Sequence, residues 1–198
     1  MIISGNGGSN EDYHPNLVLA LYEIVDKKEE TSLINSLIYV CSSLTPRLKK
    51  NPLITVVHRT NPEFSNYSIE TMSPEFKRSL ESIGGEIILG VTHLPLFDPA
   101  LGRNIFGQSL GMGLGIFSLN RFITENSPKS VYYSRISKEV IKILGLACGL
   151  SHCSDGNCIL TYHRTMEDLD LNKTICSSCK DNLVDEFNSL FGDEDYDE

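Results

Sequence analysis

Residues 149–158 read Gly-Leu-Ser-His-Cys-Ser-Asp-Gly-Asn-Cys, and residues 176–179 read Cys-Ser-Ser-Cys. Cys153 and Cys158 enclose four residues, Cys176 and Cys179 enclose two, and 17 residues separate the pairs. Thiolates presented two by two from short turns close a tetrahedron around Zn²⁺ at Zn–S distances of about 2.3 Å, with no position left for water. A site of that kind is structural and not catalytic. Gly156 and Asn157 supply the turn that the first pair needs, and Ser177 and Ser178 are small enough to let backbone amides face the sulfurs of the second. Cys41 and Cys148 fall outside the pattern. Disulfides are the alternative use of six cysteines, but four crowded into residues 153–179 point to metal in a reducing compartment.

Working outward from the cysteines, Ile136, Val140, Ile143, Leu144 and Ala147 follow a 3.6-residue period, which predicts a helix from the turn at Asn126-Ser127-Pro128 to near Gly149. Leu53 to His58, Glu86 to Thr92 and Leu114 to Leu119 are short and apolar, and read as strands. The last two are joined by a glycine-rich, proline-marked connection. Ser73, Pro74 and Glu75 place a cap, a first-turn proline and a dipole-favoured acid in order, predicting a helix over 74–83 that Gly84-Gly85 stops. Leu33 to Leu44 predicts a helix ended by Pro46, and Leu17 to Val25 shows helical spacing, with the charged run 26–30 as its solvated end or a turn. Beyond the cysteines, a short amphipathic helix is expected around 181–190, then an acidic tail at 193–198 that is expected to be disordered. Helices mixed with separated strands predict an α/β (α+β) domain with one mixed sheet over residues 1–192, its zinc subregion at 150–180.

The chain has 198 residues, 40% of them apolar and 22% charged, enough for one domain with a real core. Seventeen basic residues against 26 acidic give a net charge of −9, and five of the negatives lie in the last six positions. That balance carries no cationic footprint for nucleic acid or an anionic membrane. No apolar stretch approaches the roughly 20 residues of a bilayer-spanning helix. The polar start, Met1 to Asn10, has no basic residue ahead of a hydrophobic segment. A cytoplasmic protein is expected.

The stretch from Lys142 to Cys158, with Ile87-Ile88-Leu89-Gly90-Val91-Thr92, Leu96, Phe97, Pro99, Phe106-Gly107 and Ser118-Leu119-Asn120-Arg121 upstream, resembles the archaemetzincin family of zinc metalloproteases over roughly residues 50–185. The resemblance implies a catalytic helix bearing His-Glu-x-x-His, then x-x-Gly, a third histidine, a cysteine directly after it, and a second zinc held by four cysteines. Here Lys142 stands at the first histidine, Ile143 at the glutamate base and Leu146 at the second histidine, and His152 keeps the third. Leu160 stands where the family has a methionine beneath the site. One imidazole beside an ammonium does not hold a catalytic zinc. Cys148, about 200° around the helix from residue 146, faces elsewhere. Glu139, one turn before Lys142, is expected to pair with it.

Other strings fail on context. Gly107-Gln108-Ser109-Leu110-Gly111 fits a serine-nucleophile elbow, with His152, His163, Asp155 and Asp168 downstream, but Met112-Gly113-Leu114-Gly115 is too glycine-rich to begin the helix that an elbow requires. The glycines at 111, 113 and 115 lack a dinucleotide loop's spacing and helix. Asp168-Leu169-Asp170-Leu171-Asn172 opens like a calcium loop, but Lys173 and Cys179 occupy its turn-glycine and glutamate positions. His152 reads as a hydrogen-bond donor to a thiolate or carbonyl rather than a ligand, and the other histidines carry no spacing signal.

The sequence therefore predicts a zinc-binding archaemetzincin-like homologue with one structural Zn²⁺ on Cys153, Cys158, Cys176 and Cys179, no catalytic residues, and a peptide or protein partner. A peptide would add along the sheet edge, with Lys142 meeting its carboxylate. The alternatives are a residual hydrolase, by metal or through Ser109, and an interaction module read through the zinc loop.

Overall fold

The computed structural model describes residues 16–24, 26–48, 52–64, 68–123, 127–171 and 174–191. Val25, Asn126, the loop residues Asn172-Lys173 and the acidic tail lie outside the described residues. In chain order the elements are β1 (Asn16–Tyr22), α1 (Lys27–Leu44), β2 (Leu53–Arg59), α2 (Ile69–Glu81), β3 (Ile87–Thr92), β4 (Leu96–Asp98), β5 (Arg103–Ile105), β6 (Gly107–Gly111), β7 (Leu114–Ser118), α3 (Lys129–Ala147), α4 (Met166–Asp170) and α5 (Ser177–Phe191). Five strands form a mixed sheet in the order β2-β1-β3-β7-β6, parallel except for β6, while β4 and β5 pair as a small ribbon. No helix among the described residues is long and apolar enough to cross a membrane.

The segment from Leu17 is a strand, not the helix its spacing suggests. It lies between β2 and β3 with both faces covered. Leu17, Leu19 and Leu21 enter the core built with α1, α3 and α5, and Val18, Ala20 and Tyr22 enter the one built with α2. A parallel strand buried on both faces needs no polar alternation, so its apolar run imitates helix periodicity. The charged run that follows belongs to the start of α1, where the Asp26 carboxylate caps the Lys28 amide.

Helix α2 starts five residues earlier than the Ser73-Pro74 signal indicates. Ser68 caps it and Pro74 sits inside it. Ile69, Met72, Phe76 and Leu80 make one buried stripe across the proline, and that burial outweighs the local stop signal. The glycine-rich connection between β3 and β7 holds three further strands that the sequence reading leaves as loop. They are short and weakly apolar, and paired geometry rather than composition defines them. Helix α5 likewise begins at Ser177, four residues before the predicted start.

Helix α3 crosses beneath β6 and β7. The contact is close because residues 107 and 115 are glycine: a Cβ at either would come within 2.9 Å and 2.5 Å of the Ile143 side chain. Gly113 fixes the hairpin between the two strands. Its amide donates to the Ala147 carbonyl at 2.8 Å, and its carbonyl accepts from Ile88 at 2.7 Å. Its φ is +75°, and a Cβ would lie 2.4 Å from the Glu86 carbonyl oxygen. Gly113→Ala is therefore expected to lower stability by roughly 1–3 kcal/mol, combining left-handed strain with a backbone clash. Urea unfolding measures this, and an unchanged midpoint would contradict the geometry.

Candidate metal centre and the cleft beside it

The chain turns out of α3 at Gly149, whose φ is +97°, and immediately enters the cysteine loop. The four sulfurs of Cys153, Cys158, Cys176 and Cys179 lie within 4.8 Å of one another, and Cys153 Sγ is 3.9 Å from Cys176 Sγ. A tetrahedron with metal–sulfur bonds of about 2.3 Å has edges of roughly 3.8 Å, so the donor set fits a zinc-sized ion. Three amides face the sulfurs: Asp155 to Cys153 at 3.4 Å, Cys176 to Cys158 at 3.5 Å and Cys179 to Cys176 at 3.5 Å. N–H donors of this kind favour thiolate, and the Cys179 amide leads in holding the Cys176 thiol below its ordinary pKa. Cys158 pairs with Thr174 across an isolated bridge, and Ile159 and Leu160 pack with Cys158 and Cys179 in a small apolar cluster of their own. Cys41 and Cys148 are buried and apart from this set. Burial pushes the Cys41 thiol up to about 11 and Cys148 higher still.

The cleft position on α3 is filled differently. Lys142 is 2% exposed, and its ammonium lies 3.6 Å from Glu139, which is 0% exposed. On the carboxylate's other side stands His163 Nδ1 at 3.8 Å, also buried. The Lys142 contact is an ion pair. Neither Glu139 oxygen and neither His163 nitrogen has a hydrogen-bond partner among the described residues. Burial alone would raise the Glu139 carboxyl pKa, and Lys142 with His163 more than offsets this and brings it below its ordinary value. The expected Glu139 pairing is present. The sequence reading also offers the Lys142 ammonium to a peptide carboxylate, whereas in the structure it is enclosed and already paired.

Ile143, at the family's general-base position, belongs to the contact between helix and sheet through Gly107 and Gly115. Leu146 packs against the main core, and Leu160 lies under Gly145, where a Cβ would meet it at 2.6 Å. His152 Nδ1–H donates to the Leu160 carbonyl at 3.1 Å, the carbonyl role expected of it. Burial lowers its pKa.

Tyr162 is the residue that sequence reasoning missed. Its ring lies 5.1 Å from the His152 ring, 5.3 Å from the Arg103 guanidinium carbon and 6.0 Å from Lys142 Nζ. Arg103 also donates to its hydroxyl at 2.9 Å. Proximity to Leu160 and the cysteine loop was the only available signal for Tyr162, and none linked it to Arg103. Ser109 lies in β6 and leads into a hairpin instead of a helix, with its hydroxyl donating to the Gly111 and Leu114 carbonyls. That is not an elbow.

A mostly parallel sheet, one long helix beneath its antiparallel edge and a tetrathiol loop directly after that helix make an α/β domain with a candidate zinc site. The sequence profile of Peptidase family M54 matches residues 18–185, and the chain belongs to that family. It is similar to the archaemetzincin of Aeropyrum pernix, at 28% identity over 138 residues, which covers 65% of this chain and 74% of that protein. The crystal structure of archaemetzincin from Methanopyrus kandleri matches with a TM-score of 0.70 at 21% identity, covering 88% of this chain and 96% of that one. Archaemetzincin from Archaeoglobus fulgidus complexed with malonate matches with a TM-score of 0.64 at 20% identity, covering 84% and 98%. At these identities the two structural likenesses speak for the fold.

Proposed function

We propose that this chain is a non-catalytic member of its family, a peptide- or protein-binding module stabilised by a single zinc on Cys153, Cys158, Cys176 and Cys179. The observation that carries the reading is the buried Lys142–Glu139–His163 cluster. A fixed ammonium stands where the family places a zinc-binding imidazole, and it repels a second divalent cation. When bound, zinc supplies only structural cross-linking, because four thiolates leave no site for a water to be activated. The surface offered to a guest is the edge strand β6, which pairs with β7 on one side and has no strand on the other among the described residues.

Metal stoichiometry tests the reading. Elemental analysis of purified protein should give one zinc per chain. The Lys142→His/Leu146→His variant, which restores imidazoles one helical turn apart beside the retained His152, should give two. Two zinc ions in the unaltered protein, or metal-dependent peptide cleavage by it, would return the chain to the working peptidases.

A further inference from the structure

Among the described residues, no acid pairs with Arg103 or Arg121. The chain has 26 acidic residues against 17 basic, yet all partners of these two guanidiniums among the described residues are neutral. Arg103 donates to the Tyr162 hydroxyl at 2.9 Å and to the Arg164 carbonyl at 3.5 Å, and lies over the Tyr162 ring. Arg121 donates to the Asn104 carbonyl at 2.8 Å and lies over the Phe106 ring at 4.8 Å. Asp98, the register partner of Arg103, directs its carboxylate to the Ala100 and Leu101 amides instead.

Both cations are thus held to one short strand: Arg103 opens β5, and Arg121 is bonded to the next residue along it. Aromatic faces and neutral acceptors orient the planar groups without cancelling their charge. Each has five N–H donors, of which Arg103 uses two and Arg121 one. Burial first, and then the charge of Arg103, lower the Arg121 pKa, as follows when like charges lie near each other. A planar, bidentate anion is the partner that this arrangement lacks. Extended polyanions fit less well, because the remainder of the chain is acidic.

We propose that Arg103 and Arg121 form a carboxylate-binding site that anchors an acidic side chain or the C-terminal carboxylate of a bound peptide. This rests on the peptide-binding reading above and moves recognition of the acid from the enclosed Lys142 to the two arginines.

The test follows the arginine Nε–Hε cross-peaks of the zinc-loaded full chain, assigned with Arg103→Lys and Arg121→Lys. Four probes are titrated: a blocked tripeptide with a central glutamate, a tripeptide with a free C-terminus, a blocked neutral tripeptide, and inorganic phosphate. Saturable shifts of both cross-peaks are expected with one or both carboxylate peptides, at concentrations at least tenfold below those for phosphate. The responding peptide identifies the source of the carboxylate. Arg103→Gln/Arg121→Gln, with zinc content and amide spectrum retained, should weaken binding at least tenfold. If that variant does not fold, the titration of the unaltered protein decides alone. Still arginine signals, or shifts matched by phosphate, overturn the proposal. The β6 amides at 107–111 separate the two claims. If they respond to the neutral peptide while the arginines do not, the carboxylate site fails and the peptide reading stands. If the arginines respond alone, the peptide reading fails.

Discussion

Cys158→Ser is expected to release the metal and unfold the cysteine-bearing stretches within residues 150–180. The structural reason is how little else holds the stretches that carry the cysteines. Residues 163–171 are tied to α3 by the Arg135–Asp170 pair, by Lys138 on the Leu169 and Leu171 carbonyls and by the buried Leu169, but around the cysteines the apolar cluster is a few side chains about Ile159 and Leu160. Metal binding at structural zinc sites supplies about 10–16 kcal/mol in small peptides, well beyond what such a cluster provides. Hydrogen exchange reads the outcome directly. The Cys153 amide, bonded to Leu160, and the Ile159 amide, bonded to Thr174, should lose protection in Cys158→Ser or on chelation. The sheet amides of β1 and β3 should keep theirs. Most of α5 should also survive, because Leu183 and Phe187 lie in the main core and Arg47 pairs with Asp181. A chelated chain with unchanged protection at 153 and 159 would show that the thiols are not structural ligands.

Lys142→Met should cost roughly 3–5 kcal/mol, because it strands the buried Glu139 carboxylate without its nearest cation. Adding Glu139→Gln to that variant should recover much of the loss, since it removes the orphaned charge. The dependence on pH has a definite sign. In the unaltered protein the Glu139 carboxyl is held below its ordinary value. Its contribution is therefore present above the unfolded pKa of about 4.3 and is lost as pH falls through the lower folded value. In Lys142→Met, desolvation is the largest remaining influence, and the folded pKa should rise above the unfolded one. That variant then gains stability relative to the unaltered protein as the solution is acidified. Urea unfolding between about pH 8 and pH 5.5, with zinc in excess, should show the gap narrowing. A gap that stays constant, or a loss below about 1 kcal/mol, would mean that Lys142 is not the group compensating Glu139.

The sequence made some of this visible and hid the rest for physical reasons. The gathering of the four cysteines was legible because paired thiols at short spacings suit one another as metal ligands, and α3 because one face of it is apolar at a helical period. The Glu139–Lys142 pair followed from one turn of that helix. Strand β1 was misread because a strand covered on both faces loses the alternation that marks it. The start of α2 was misread because Ser73-Pro74-Glu75 is locally a good first turn, and only the long-range stripe against Val18 and Tyr22 overrides it. Tyr162 and His163 share one loop, Arg103 opens β5 and Arg121 follows β7, and only the folded chain sets Arg103 on Tyr162, Arg121 on β5 and His163 on Glu139.

The ladder between β6 and β7 slips between Ser109 and Gly111, which leaves a bulge at the rim of the sheet. An incoming segment meets regular hydrogen-bonding positions only over Gly107 to Ser109 before the backbone turns off line. The same kink hinders two copies of the chain from zipping rim to rim. A visitor lying there is limited to a grip a few residues long, so it would be chosen by the chemistry of its side groups more than by its length.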